Sequence, residues 1–157
     1  MIDLLPVRRK EIEKLAPMIL AYWRELDDQG EHSGEDRDLE DAKRLLYGAI
    51  SRGSGIFWIA DDDREIGFVE HDVSQHWSRP EMKVGRIAEI YVDPAHRRSG
   101  AGRAAMERII AQMAADDVAY VTLATSIRNE SARRFWEALG FHEDRIEMKR
   151  TLKEPAA

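Results

Sequence analysis

The stretch from Ala88 to Arg103 constrains this chain more than any other. Ala88-Glu89-Ile90-Tyr91-Val92 reads as the end of a buried strand, Asp93-Pro94 stops it, and a helix opens at Arg97-Arg98-Ser99-Gly100-Ala101-Gly102-Arg103. Proline lacks the N–H that a continuing ladder needs. Glycines let a backbone approach a ligand closely and turn several N–H groups one way. The unsatisfied N–H groups of a helix start, with its dipole, favour an anion. From His96 to Arg103 there are three arginines and no acid, on a chain of net charge −6. The segment therefore predicts a cationic cradle of pyrophosphate size.

Apolar spacing on either side predicts the other elements. Residues 2–7 make a short strand. Leu15, Met18, Ile19, Tyr22, Trp23 and Leu26 form a helical stripe that starts or bends near Pro17. Residues 27–38 read as loop. Leu39, Ala42, Leu46, Ala49 and Ile50 mark a second helix closed by Gly53. Ile56–Ala60 and Ile66–Val73 read as a hairpin, residues 74–82 as a loop and Val84–Val92 as the next strand. A helix with Ala105, Met106, Ile109, Ile110 and Met113 follows, then a strand over 118–124. Ala132, Phe135, Trp136 and Leu139 stripe a fourth helix, and 141–152 reads as a last strand. The order β-α-α-β-β-β-α-β-α-β over 157 residues, without repeat or linker, predicts one α/β domain (1–157) with a mixed sheet.

Composition removes several classes of function. There is no cysteine, so disulfides, thiolate-ligated zinc and a cysteine nucleophile are excluded. The acidic balance argues against nucleic acid as a partner. No segment reads as a signal peptide or a membrane span, so a soluble, cytoplasmic protein is the expectation. His71 and His76 do not have a zinc-ligand spacing, and no metal is expected. Among phosphate binders, a P-loop would need Gly-Lys-Ser/Thr where Gly102-Arg103-Ala104 stands. A dinucleotide fold would place its glycines directly after the strand, whereas seven residues separate Val92 from Gly100.

With Tyr91-Val92-Asp93-Pro94 before it, Arg97-x-x-Gly100-x-Gly102 resembles motif A of the GNAT N-acetyltransferase superfamily. Asn129-x-x-Ala132-x-x-Phe135-Trp136-x-x-x-Gly140-Phe141 resembles that family's later motif, and the resemblance covers essentially the whole chain. It implies a mostly antiparallel mixed sheet flanked by about four helices, with a splayed central strand pair. It also implies acetyl-CoA as co-substrate and direct transfer to an amine in a ternary complex. Ile90, Tyr91 and Val92 would pair with the pantetheine arm, while Arg97, Arg98, Ser99, Gly100, Ala101, Gly102 and Arg103 would hold the pyrophosphate. Asn129 would reach the pantetheine or its phosphate, or simply cap its helix. Dimers are common in the family, so a homodimer is expected from the resemblance.

A primary amine of pKa about 10.4 is nucleophilic in only about one molecule in a few thousand at pH 7, so deprotonation is worth about 4–5 kcal/mol. Glu89, on the strand that would flank the thioester, is the candidate base; its bland alternative is a structural strand residue. A backbone N–H near Val92 would meet the oxyanion. The tyrosine that often protonates the leaving thiolate is replaced by Trp136, which would pack beside the arm or in the core. Tyr91 and Tyr120 are the other hydroxyls considered. On the acceptor side, the run Glu25 to Asp41 holds nine acids (Glu25, Asp27, Asp28, Glu31, Glu35, Asp36, Asp38, Glu40, Asp41) against Arg37. That run suggests a cationic acceptor, a small-molecule or peptide amine, or else an ordinary solvated face. A non-catalytic acyl-CoA-binding module of the same fold is the alternative function.

Overall fold

Ile12, Leu15, Ala16, Ile19 and Trp23 recur every three or four residues, and they are the buried face of α1 (Ile12–Asp28). Pro17 lies inside this helix on an exposed position, so the backbone bond it cannot donate falls on the solvent side. α2 (Leu39–Ser51) buries Ala42, Leu46 and Ala49 and starts on a reciprocal cap between Asp38 and Asp41. The computed structural model describes residues 1–30 and 36–153.

One five-stranded sheet carries these helices, in the order β1 (Ile2–Pro6), β2 (Gly55–Asp61), β3 (Arg64–His76), β4 (Arg79–Val92), β5 (Val118–Thr122). The first four strands pair antiparallel, and β5 pairs parallel with β4 through the crossover helix α3 (Ala101–Ala115). α4 (Glu130–Ala138) follows β5. Two apolar clusters result. One joins α1 and α2 to Ile56, Trp58, Phe68 and Tyr91; the other joins α3 and Trp136 of α4 to Ile59, Val69 and Ile87. The four helices and the mixed, mostly antiparallel sheet are those expected from the sequence.

Two expectations change. Residues 74–82 are not a loop: β3 runs to His76 and β4 begins at Arg79, leaving a turn at Trp77-Ser78. Backbone pairing extends beyond the apolar alternation there. Pro80 is tolerated because the register jumps from His76↔Arg79 to Gln75↔Lys83, leaving residues 80–82 outside the ladder. Residues 141–152 form no strand in the structure. Ile146 and Met148 alternate as strand residues do, yet they are 88% and 90% exposed. Alternation supplies one apolar face, but no sheet neighbour covers it, and the charged residues between keep the segment solvated.

Candidate active site

β5 pairs with β4 only from Lys83 to Arg86, so among the described residues no strand lies beside the outer edge of β4 from Ile87 to Val92. Strand geometry decides which groups use that edge. The Asp93 N–H donates to the Ile66 carbonyl at 2.8 Å on the β3 side. Alternation then turns the backbone of Tyr91 toward β3 as well, and that of Ile90 and Val92 toward the opening. Of the three residues expected to pair with the pantetheine arm, Ile90 and Val92 therefore present free-edge backbone, and Tyr91 does not. The Val92 carbonyl accepts from Arg97 Nε at 2.8 Å, while its N–H faces the opening.

The opening leads to the start of α3. Gly100 caps the helix with φ +85° and no capping side chain, and the first turn contains no acid. The N–H groups of this turn therefore lack side-chain acceptors and converge on one place. A Cβ on Gly102 would stand 3.6 Å from Val92 and 3.7 Å from Phe135, which puts that glycine against the cradle wall. Arg98 takes φ +61°, and the Ser99 hydroxyl donates to the His96 carbonyl at 2.7 Å, which folds the loop on itself.

The three arginines are not equivalent. Arg97 forms a two-point ion pair with Glu25 of α1 at 2.8 and 2.6 Å, which pushes its guanidinium pKa up, and it lies over the Tyr91 ring at 5.3 Å. Arg103 pairs with Glu107 one turn on at 2.8 Å. Among the described residues Arg98 has no acidic partner, so it is the arginine best placed to add charge to the cradle. The sheet-to-loop junction, the uncapped helix and the absence of acids all suit a pyrophosphate with an extended arm.

On the opposite face of the sheet, β4 directs Glu89 toward α1. Ile87 belongs to the α3 cluster and Glu89 faces α1, although residues two apart in a strand normally share a face. The register supplies the reason: Glu70 pairs with Glu89 and His71 with Ile87, so Ala88 is an extra residue, a β-bulge that re-aims the carboxylate. The Tyr22 hydroxyl on α1 donates to Glu89. Both lie on a cavity of about 60 Å³ whose lining includes Trp23, Leu46, Phe68 and Glu70.

Close packing beneath Glu89 depends on Gly67, opposite Val92. A Cβ there would collide with the Tyr91 carbonyl and come within 3.0 Å of Val92 Cα. Tyr91 itself is 6% exposed, with its ring 5.7 Å from Tyr22 and 6.0 Å from Phe68, and burial pushes its phenol pKa up. Tyr120 pairs beside Val84, at the far end of β4 from Glu89. Asn129 caps α4, accepting from the Ala132 N–H at 3.0 Å, and its amide donates to Gln29 at 2.9 Å. Trp136 is 7% exposed and packs edge-on against Phe135 and Phe141, so it is a core residue of the α3–α4 face.

The acidic run is largely used locally. Glu25 holds Arg97, Asp27 pairs with Arg37 at 3.3 Å, and Asp38 and Asp41 cap α2. Glu40 pairs with Lys43 at 2.9 Å, while Glu31 and Glu35 lie outside the described residues. The carboxylates that line the cavity are Glu70 and Glu89 instead. Tyr22, Glu70 and Gly67 are the site residues that the sequence reading did not single out. Tyr22 was hidden as one member of an apolar helix stripe, and Glu70 as a polar position in a hairpin. Among the described residues no cluster of His, Asp or Glu could hold a metal, and no helix is long and apolar enough to cross a membrane.

Comparison with known proteins identifies the family. Residues 16–141 match the family model of the acetyltransferase (GNAT) family. The uncharacterized N-acetyltransferase MJ1207 of Methanocaldococcus jannaschii is 29% identical over 92 residues; the match takes in 59% of this chain and 41% of that relative. Among solved structures, a possible acetyltransferase from Clostridium difficile 630 superposes with a TM-score of 0.78 at 16% identity, covering 96% of this chain and 97% of its own. A ribosomal-protein-alanine N-acetyltransferase from Brucella melitensis biovar Abortus 2308 gives 0.72 at 18% identity, covering 97% of this chain and 100% of its own. A predicted acetyltransferase with acetyl-CoA from Clostridium acetobutylicum gives 0.70 at 15% identity, covering 97% of each chain. At these identities the structures speak for the fold alone, and the family match, over most of the chain, identifies the protein: it belongs to the GNAT acetyltransferase family.

Proposed function

We propose that this protein transfers an acetyl group directly from acetyl-CoA to an amine in a ternary complex, with Glu89 as general base. The observation that carries the reading is the pairing of an open β4 edge on one side with a bulge-directed carboxylate on the other. Acetyl-CoA bound along that edge supplies the thioester. The N–H of Val92 faces the opening, where it can donate to the carbonyl oxygen as charge develops. Glu89 takes a proton from the ammonium, the neutral amine adds to the carbonyl carbon, and the C–S bond breaks. The second nitrogen proton passes to the departing sulfur. A thiol of pKa near 8.5 leaves without a dedicated acid, which fits a site where Trp136 stands in the tyrosine position.

Tyr22, donating to Glu89, fixes the direction of the carboxylate. The buried phenol of Tyr91 stays protonated at neutral pH and belongs to the packing beneath it. In a thiol-release assay with amine and acetyl-CoA, Glu89→Gln is expected to lower kcat about 10²–10³-fold and leave the calorimetric affinity for acetyl-CoA unchanged. Undiminished turnover in that variant would remove Glu89 from the chemistry. Binding of acetyl-CoA with no turnover of any amine by the wild type would favour a non-catalytic acyl-CoA-binding module.

A further inference from the structure

The cavity beside Glu89 discriminates among amines by what lies behind the nitrogen. Among the described residues its charged lining is Glu70 and Glu89, which stand directly opposite each other on β3 and β4. The rest of its lining is aromatic or aliphatic: Trp23, Phe68 and the Tyr22 ring, with Ile19, Leu46 and Ile56 between them. Like charges directly across an antiparallel pair repel. The Arg86 guanidinium, which feels both glutamates, is engaged by Asp72 at 2.7 Å. An ammonium between the carboxylates relieves that repulsion, and the apolar walls then face whatever the ammonium carries.

Size narrows the class further. At about 60 Å³ the cavity has room for only a few non-hydrogen atoms. A second charge within that reach would lie against Ile, Leu and Trp side chains, where an unpaired ion is costly. Leu45, 44% exposed, lines the cavity from α2 and marks its mouth.

We infer that the acceptor is a monoamine with a short apolar stem: its ammonium meets Glu70 and Glu89 while the stem fills the cavity. The inference rests on the transfer reading of the same site and specifies its substrate class. Glu70 is then a specificity residue, whereas Glu25, Asp27, Asp38, Glu40 and Asp41 of the acidic run are engaged in local pairs and caps.

The test compares n-pentylamine with 1,4-diaminobutane, which have equal numbers of non-hydrogen atoms and differ by exchange of a methyl for an ammonium. At saturating acetyl-CoA, kcat/KM is expected to be about tenfold or more higher for n-pentylamine. Leu45→Glu, at an exposed position that leaves the core intact, should shrink that ratio about tenfold by pairing with the second ammonium. An equal or greater kcat/KM for the diamine in the wild type overturns the inference and leaves acetyl transfer standing, as does a clear preference for a lysyl peptide over both. If acetyl-CoA binds but no amine is acetylated, the transfer reading falls by itself. Calorimetric titration of the same two amines then decides the cavity: stronger n-pentylamine binding upholds its selectivity, and equal or absent binding overturns it.

Discussion

The proposed anion cradle and the proposed amine cavity lie on the two sides of one strand, yet they are assembled by different means. The cradle is local. It uses backbone from Ile90 to Arg103, one left-handed glycine and a helix start, and side chains contribute mainly by being absent. The cavity is distributed, drawing Tyr22 and Trp23 from α1, Leu46 from α2, and Phe68, Glu70 and Glu89 from two strands. A backbone site depends on the path of the chain at a few residues. A side-chain site depends on the packing of several elements, and can be retuned one residue at a time.

The sharpest way to separate the two is Gly100→Glu. A side chain at φ +85° is strained, although no atom lies within 4 Å of the new Cβ, so the fold should persist. The added carboxylate competes for the helix start, and acetyl-CoA affinity should fall about 10²-fold or more. Amine binding by calorimetry should be unchanged; parallel loss of both would show that the two halves are not separable.

Gly67→Ala is the variant that should break the distinction, because Gly67 supports both sides. Its Cβ would press on the backbone of Tyr91 and Val92, costing about 2–3 kcal/mol in denaturant unfolding. Among molecules still folded, acetyl-CoA and amine constants should worsen together; an effect on one alone would mean that the strand gives way on one side.

A milder change is expected from Arg97→Ala. It removes the tie to Glu25 and the bond to the Val92 carbonyl, and the acetyl-CoA dissociation constant should rise about three- to tenfold. A half-exposed ion pair supports no larger claim.

The smallest effect concerns His71, stacked on Phe57 at 4.9 Å, whose imidazole pKa burial holds below the ordinary 6.5. Because the folded value is the lower one, the neutral ring stabilises the protein above about pH 6.5, and this contribution is lost as pH falls through the folded pKa. His71→Phe should flatten the dependence of Tm on pH in that window and leave kcat and both ligand affinities unchanged at neutral pH.

The same contrast explains what the sequence revealed. The loop and helix start of the candidate cradle were legible because Arg97-x-x-Gly100-x-Gly102 is contiguous, and a turn, a helix start and a charge bias can be read from neighbours. Glu89 was legible as a carboxylate on the strand before the loop, but its direction depends on a register visible only once β3 lies beside β4. Tyr22 could not be distinguished from Ile19 or Trp23, since a helix stripe shows which face is apolar and not which member meets a carboxylate. The acids of residues 25–41 drew attention by number, while pairing consumes much of that charge locally. The last expected strand, over 141–152, failed for a related reason: its alternation is real, but pairing needs a partner edge that the segment itself does not encode.

Ala88 makes the direction of Glu89 a question of parity. Substitution at position 88 changes a small side chain and leaves the count intact, so Glu89 keeps facing α1. Deleting that residue makes Ile87 and Glu89 neighbours, and neighbours in a strand face opposite ways, so Glu89 still faces α1 and only the bulge with its local twist is lost. Drawing Ala88 into the ladder would instead set Ile87 and Glu89 on one face, so the site depends on one residue staying out of register and not on which residue it is.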